Sequence, residues 1–232
     1  MCIRDSYKSY CCILSEYLNP TEVEYIHGFA KNLPLQEGRL GFGGQDTDSQ
    51  TAREGKSGTS DNKLRQSTNK WINHEVDFDL DLKQKIFDGM MQANQMSGWN
   101  YEVDNMEQWQ YTVYDHNPDA PTGDFYTWHT DCGPEPYSNG KTRKLSASIQ
   151  LSCPDDYEGG HFQWIEQTDV FDSLKTRDQV IRQDELIHSA PMSGKELGSL
   201  IVFPSWLHHQ VTPVTKGTRK SLVVWNTGWP LK

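Results

Sequence analysis

From about residue 108 to residue 226 the chain is written in short β-forming segments broken by turn residues, and this grammar restricts its fold more than any other feature. The segments are "QWQYTVY" (108–114), "DFYTWHTD" (124–131), "KLSASIQLS" (144–152), "HFQWIE" (161–166), "SLIVFP" (199–204), "HQVTPV" (209–214) and "KSLVVWN" (220–226). The breaks hold "HNPDAPTG", "GPEPYSNG", "PDDYEGG" and "TKGT". Several short strands separated by such turns predict a β sandwich or barrel. There is no internal repeat and no low-complexity tract.

Two helices precede them. "NPTEVEYIHGFAKNL" (19–33) opens with Asn19 as a cap, Pro20 at the first helical position, and Glu22 and Glu24 at the positive end of the dipole. "DLKQKIFDGMMQANQM" (81–96) repeats Leu82, Ile86, Met90 and Asn94 at helical spacing. Helices lead and strands follow, so the expected fold is mainly β with flanking helices on one face of the β core. The 232 residues suit one large domain. Within it, 1–107 is a helical support region and 108–232 the core. Eight Trp, ten Tyr and eight Phe supply bulky core material. The polar stretch at about 36–68 reads as a surface loop, with a lid as the rarer alternative for a loop of that length. Residues 1–6 share no pattern with the rest.

The net charge of −10 argues against a nucleic-acid partner, whose phosphates call for Lys and Arg. It is compatible with a small anion held by one buried cation. No apolar run is long enough to predict a membrane span, and the polar start does not read as a secretory signal. The cysteines, Cys2, Cys11, Cys12, Cys132 and Cys153, are odd in number and lack a CxxC spacing. They predict neither a disulfide framework nor a zinc finger, and point to a reducing, cytoplasmic setting.

In "FYTWHTD", His129 and Asp131 lie two apart at the end of an aromatic run. In an extended strand they share one side, with Phe125 and Thr127 behind them. A third ligand is available in "SWLHHQVTPVT", from His208 or His209, and His188 competes in principle. Two imidazoles and one carboxylate on one face of a metal leave positions open, as in non-heme Fe(II) oxygenases. Ten residues past His209, Arg219 and Ser221 share a strand face in "TRKSLVVW". A guanidinium in an apolar barrel is costly without an anion, and its fork of donors matches a carboxylate.

Taken together, "YTVYD", "GDFYTWHTD", "RKLSASIQLSCPDDYEGGHFQW" and "GSLIVFPSWLHHQVTPVTKGTRKSLVVW" resemble the iron(II)/2-oxoglutarate-dependent dioxygenases. The branch they resemble is the prolyl 4-hydroxylase-like one, which includes the bacterial PKHD-type hydroxylases. The resemblance covers about 108–226. It implies a double-stranded β-helix (jelly-roll, cupin-like) core with the N-terminal helices packed on one sheet. It implies Fe(II), 2-oxoglutarate and O2, with ascorbate as an accessory reductant. Carried over by position, His129, Asp131 and His209 are the metal ligands, and His208 stands where relatives have an apolar residue. Arg219 with Ser221 takes the far carboxylate of 2-oxoglutarate, joined by Tyr114 and, less directly, Tyr126. Related halogenases carry a small residue at the position of Asp131, so the carboxylate there implies hydroxylation. Trp128, Trp164 and Trp225 are expected in the core or pocket wall, Gly159 and Gly160 in a hairpin turn, and Cys132 without a role.

The implied activity is hydroxylation of an unactivated C–H bond in a prolyl or other residue of a peptide, or in a free amino acid or small metabolite. The segments at 36–68 and 167–197 depart from the family pattern and are where substrate recognition is expected. Rival readings are a non-catalytic cupin-like binder, which has no need of Arg219 and Ser221, and a zinc hydrolase using the same three ligands. The nucleic-acid demethylating branch is disfavoured by the acidic charge and by the lack of a second Arg just past Arg219.

Overall fold

The computed structural model describes residues 10–38, 64–116, 118, 122–165 and 187–230. Residues 1–6, most of the polar stretch (39–63) and much of the later departure (166–186) lie outside the described residues. Helix α1 (Pro20–Lys31) starts at a reciprocal cap: the Glu22 amide donates to Asn19 Oδ1 at 3.0 Å, and the Asn19 amide donates to Glu22 Oε2 at 2.7 Å. Helix α2 (Leu80–Met96) starts where Leu82 N–H donates to the Asp79 side chain at 2.8 Å. Lys85 of α2 reaches Glu22 of α1 at 2.8 Å.

The strands are β1 (Cys12–Leu14), β2 (Gln36–Glu37), β3 (Arg65–Gln66), β4 (Thr68–Ile72), β5 (Asn105–Met106), β6 (Trp109–Asp115) and β7 (Phe125–His129). They continue as β8 (Thr142–Gln150), β9 (Tyr157–Gly159), β10 (Phe162–Ile165), β11 (Ile187–Ser189), β12 (Leu200–Pro204), β13 (His208–Val211) and β14 (Val214–Gly228). They form two antiparallel sheets. The large one runs β1-β12-β8-β14-β6-β4-β2, with β5 and β9 attached to β14, and the small one runs β11-β10-β13-β7-β3. Among the described residues the protein is therefore mainly β, with two α-helices. Neither helix is long and apolar enough to cross a membrane.

Side chains alternate across each strand of the large sheet. On one face Trp109, Tyr111, Leu145, Ala147, Ile149, Leu222 and Val224 join Val23, Ile26 and Ala30 of α1 and Leu82, Ile86 and Met90 of α2 in one apolar cluster. On the other face Gln110, Thr112, Ser146, Ser148, Gln150, Arg219 and Ser221 are equally buried but polar. The fold thus has an apolar core on one side of the large sheet and a polar interior on the other.

Three expectations need correction. The polar stretch at 36–68 is not all loop: its described ends carry β2, β3 and the start of β4. "TKGT" does not separate two strands. β14 runs through it with a register shift opposite β9, and Gly217 takes a φ of 70° where an added Cβ would meet the Asp156 carbonyl. Gly159 and Gly160 do not turn a hairpin, because β9 pairs with β14 while β10 pairs with β13 in the other sheet. The glycine pair is a crossing between sheets.

Candidate active site

The centre of the small sheet brings three donors together. His209 on β13 lies opposite His129 on β7. Asp131 lies beyond the end of β7, held by its N–H on the Ser205 carbonyl at 2.9 Å. The side chains of His129 and Asp131 do face one point, although the strand itself ends at His129 and Asp131 follows it. Thr127 does not stand behind them as expected, since the register slips between His129 and Tyr126. The Nε2 atoms of His129 and His209 each lie 3.8 Å from an Asp131 carboxylate oxygen. Ligand atoms of all three residues fall within 4.8 Å of one another.

The site is strongly biased. His129 Nδ1–H donates to the Thr127 carbonyl at 2.7 Å and His209 Nδ1–H to the Leu207 carbonyl at 2.9 Å. Each bond leaves the Nε2 lone pair facing Asp131. Burial holds His129 well below its ordinary pKa and lowers His209 as well, so both rings stay neutral. Burial pushes the Asp131 carboxyl up, but His209, His129 and Arg143 outweigh it and hold the group below the usual range. Its Oδ2 is buried with no hydrogen-bond partner. Two neutral imidazoles and one unsatisfied carboxylate oxygen, converging in one cavity, fit a divalent first-row metal ion.

β13 alternates as the spacing "HQV" predicts: His209 and Val211 are buried, while His208 and Gln210 are half-buried on the other side. His188 is two strands away from His129's partner, with Trp164 between it and His209, its ring stacked on that indole at 5.6 Å. It is not one of the three converging donors.

The opposite end of the cavity holds Arg219, which is 1% exposed and pairs with Tyr114 across β14 and β6. Its Nη1 points to Ser221 Oγ at 3.4 Å and its guanidinium lies 5.4 Å from the Tyr114 ring centre. Its Nε has no hydrogen-bond partner, and among the described residues no carboxylate lies within ion-pair distance of it. Gly160 makes room for it: a Cβ there would meet Arg219 Cδ at 2.7 Å. A buried guanidinium of this kind fits a carboxylate ligand. Burial raises the pKa of the Tyr114 hydroxyl, against the pull of Arg65 and Arg219.

A family model described as the 2OG-Fe(II) oxygenase superfamily matches residues 109–227. The chain belongs to that superfamily. The superfamily's name carries Fe(II) and 2-oxoglutarate, the two groups that the two ends of the cavity fit, and O2 is an oxygenase's oxidant. A PKHD-type hydroxylase of Shewanella sp. (strain MR-7) is 34% identical over 104 residues, 44% of this chain and 38% of that protein. One from Synechococcus sp. (strain CC9902) is 29% identical over 106 residues, 46% of this chain and 37% of its own. The chain thus matches under two fifths of the length of these curated relatives. In fold it resembles a Trichoplax adhaerens prolyl hydroxylase solved with a hypoxia inducible factor peptide fragment, at a TM-score of 0.58 and 17% identity, over 94% of this chain and 83% of that one. It also resembles a viral collagen prolyl hydroxylase of Paramecium Bursaria Chlorella virus-1 in a 2OG complex, at 0.56 and 16%, over 95% and 97%.

The oxygenase cavity has walls that the strand grammar did not reveal. Arg65, Asn69 and Gln110 line one side and Trp71 and Trp225 another. Arg143 lies 3.9 Å from the Trp225 ring centre, is held by Glu107 at 2.7 Å, and donates to the Asp131 carbonyl at 3.3 Å. Of these only Trp225 is foreseen as pocket wall. The one signal available was a cation at the head of an apolar-alternating strand, "RKLSASIQ".

Proposed function

We propose that this chain is an Fe(II)- and 2-oxoglutarate-dependent hydroxylase. The observation that carries the reading is the pairing, in one cavity, of a converging His–Asp–His donor set with a buried guanidinium that has no carboxylate beside it among the described residues. His129, Asp131 and His209 would hold the metal, and Arg219, Ser221 and Tyr114 the far carboxylate of 2-oxoglutarate. With both bound, the site supplies the oxidising power to place one oxygen atom of O2 in a substrate C–H bond, while 2-oxoglutarate leaves as succinate and CO2. The protein's own part is to keep two imidazoles neutral, present their Nε2 atoms, anchor the co-substrate's remote end and exclude water. Ascorbate is the expected reductant for metal that has been oxidised off-cycle.

The substrate favoured is a prolyl or other residue in a peptide, since the neighbouring folds include a peptide-bound prolyl hydroxylase and a collagen prolyl hydroxylase. A free amino acid or small metabolite is the second reading. The same proposal includes a double-stranded β-helix core with the N-terminal helices packed on one sheet, 1–107 and 108–232 forming one domain. A non-catalytic cupin-like binder is the rival from another class. The deciding experiment supplies Fe(II), 2-oxoglutarate and O2 with a panel of peptides and amino acids. Substrate-stimulated succinate, with one oxygen atom gained by the substrate, is expected. Full activity with zinc and no iron, or metal binding with no succinate under any condition, would overturn it.

A further inference from the structure

His129 and His209 are held in different ways. His209 meets its aromatic neighbours at an angle: 53° to His129, 56° to Phe203 and 31° to Phe162. His129 is covered on one face by the Tyr126 ring, with centroids 3.4 Å apart and planes within 11°. The other side of Tyr126 carries the Arg65 guanidinium, 4.5 Å from the ring centre. Arg65 and Tyr126 are partners across β3 and β7. The guanidinium is itself fixed: its Nε donates to Ser67 Oγ at 2.8 Å, and its Nη2 donates to Asn69 Oδ1 at 3.1 Å and Gln110 Oε1 at 2.9 Å. Asn69 on β4 and Gln110 on β6 belong to the large sheet. A chain of contacts thus runs from the large sheet through Arg65 and Tyr126 to one imidazole.

Among the described residues the His129 ring makes one hydrogen bond, from Nδ1 to the Thr127 carbonyl. One hydrogen bond sets the tautomer but lets the ring rock about its softest torsion, which is broad for an imidazole. A ring lying flat against it removes that freedom. Resting on the reading of His129, Asp131 and His209 as ligands, we propose that Tyr126, backed by Arg65, is a positioning residue that fixes the plane of His129 and thereby sets metal affinity. The Tyr126 ring does this, and its hydroxyl does not. Burial pushes that hydroxyl up to about 12, so it stays neutral.

Co(II) alone is the probe, titrated into the whole chain and followed by its visible absorption bands. Tyr126→Phe keeps the stack and should bind cobalt as the unaltered protein does, with the same band shape. Tyr126→Leu should bind at least ~10-fold more weakly with altered bands, the scale found for groups that orient a ligand. Arg65→Met should weaken binding in the same direction. The proposal falls if Tyr126→Leu matches the unaltered protein, or if Tyr126→Phe loses as much as Tyr126→Leu. Should Tyr126→Leu fail to fold by circular dichroism, Arg65→Met decides: weaker binding supports the stack and unchanged binding overturns it. His209→Ala separates this from the ligand reading. If the cobalt bands survive His209→Ala, the metal is not at the triad and the ligand reading fails, taking the proposal with it. If they vanish there while Tyr126→Leu stays normal, the proposal alone is wrong.

Discussion

The two faces of the large sheet are equally buried and chemically opposite. Along β8, Leu145, Ala147 and Ile149 enter the apolar cluster, while Ser146, Ser148 and Gln150 line the interior between the sheets. Along β14, Leu222 and Val224 face one way, and Arg219 and Ser221 the other. Burying methylenes stabilises a fold by roughly 25 cal/mol for each Å² removed from water. Burying hydroxyls, amides and a guanidinium does not, and costs free energy wherever a partner is missing. Three of the orphaned atoms belong to the cavity side, Arg219 Nε, Gln150 Nε2 and Asp131 Oδ2, while others, His74 Nδ1 among them, lie elsewhere. One face holds the molecule together, and the other keeps unsatisfied groups aimed at a ligand.

The sharpest break in that division should come at the metal end. His209 is buried against Asp131, and His208 sits half-buried on the reverse of the same strand. His209→Ala should reduce 2-oxoglutarate turnover to background and empty the site of iron. His208→Ala should keep most of both. Iron content and succinate yield for the two variants side by side check this. A dead His208→Ala beside a live His209→Ala would exchange the inward assignments along β13.

Next comes the apolar face, where stability should change and the site should not. Ile149 is fully buried among helix and sheet side chains. Ile149→Ala should cost about 2–5 kcal/mol by lost burial and the cavity left behind. Ser148→Ala, one residue away on the cavity side, should cost no more than about 1.5 kcal/mol. Urea midpoints of the two variants decide it, and equal losses would mean that the polar face also supports the fold.

Arg219 tests the reverse. On the proposed reading Arg219→Ala would remove two charge-assisted bonds to the co-substrate's carboxylate, each worth roughly 1.5–3 kcal/mol, so the 2-oxoglutarate requirement should rise at least ~10-fold. Cobalt binding should stay close to normal. Unchanged 2-oxoglutarate affinity would remove Arg219 from the role.

How much of this was legible follows from the same division. Period-two spacing in "HQV" and "RKS" identifies which side chains share a face, and the buried pairs His209/Val211 and Arg219/Ser221 follow it. The alternation in "KLSASIQLS" is just as plain, but it ordinarily marks a strand with one wet face. Nothing in a single strand tells that its serines look into a cavity instead of solvent. Arg65 was hidden for a different reason. Its strand is two residues long, set in a run of Gly, Ser, Thr and Asn, and its place depends on a partner strand some sixty residues later. The slip in pairing between Tyr126 and His129 likewise becomes visible only from the partner strand β13.

The smallest effect expected is in the pH dependence of stability, and it separates a histidine on the apolar side from those in the site. His74 is 2% exposed, packs at 4.7 Å on the Trp109 ring, and shares an Nε2 hydrogen bond with the Glu107 carbonyl at 2.7 Å. Burial lowers its pKa, more strongly than Glu107 and Glu75 raise it. Above about pH 6.5 both folded and unfolded chains hold a neutral imidazole, and His74 contributes no slope. Below that, the unfolded chain binds a proton that the folded chain refuses, so stability falls with pH until the folded-state value is reached. One such group gives at most about 1.4 kcal/mol per pH unit. His74→Gln keeps an amide to meet the Glu107 carbonyl but cannot take the proton. It should be less stable at pH 7.5 and should lose stability less steeply between pH 6.5 and 5.5. His129 and His209 add a slope of the same sign, because burial lowers them too. Saturating Co(II) also holds both neutral in the folded state, so it should raise stability while leaving their share of the slope, and that of His74, nearly unchanged. The measurement is the urea midpoint against pH for both proteins, with and without cobalt. Identical slopes for His74→Gln and the unaltered chain would mean that His74 takes its proton in the folded state, and that the apolar face is wetter than its packing indicates.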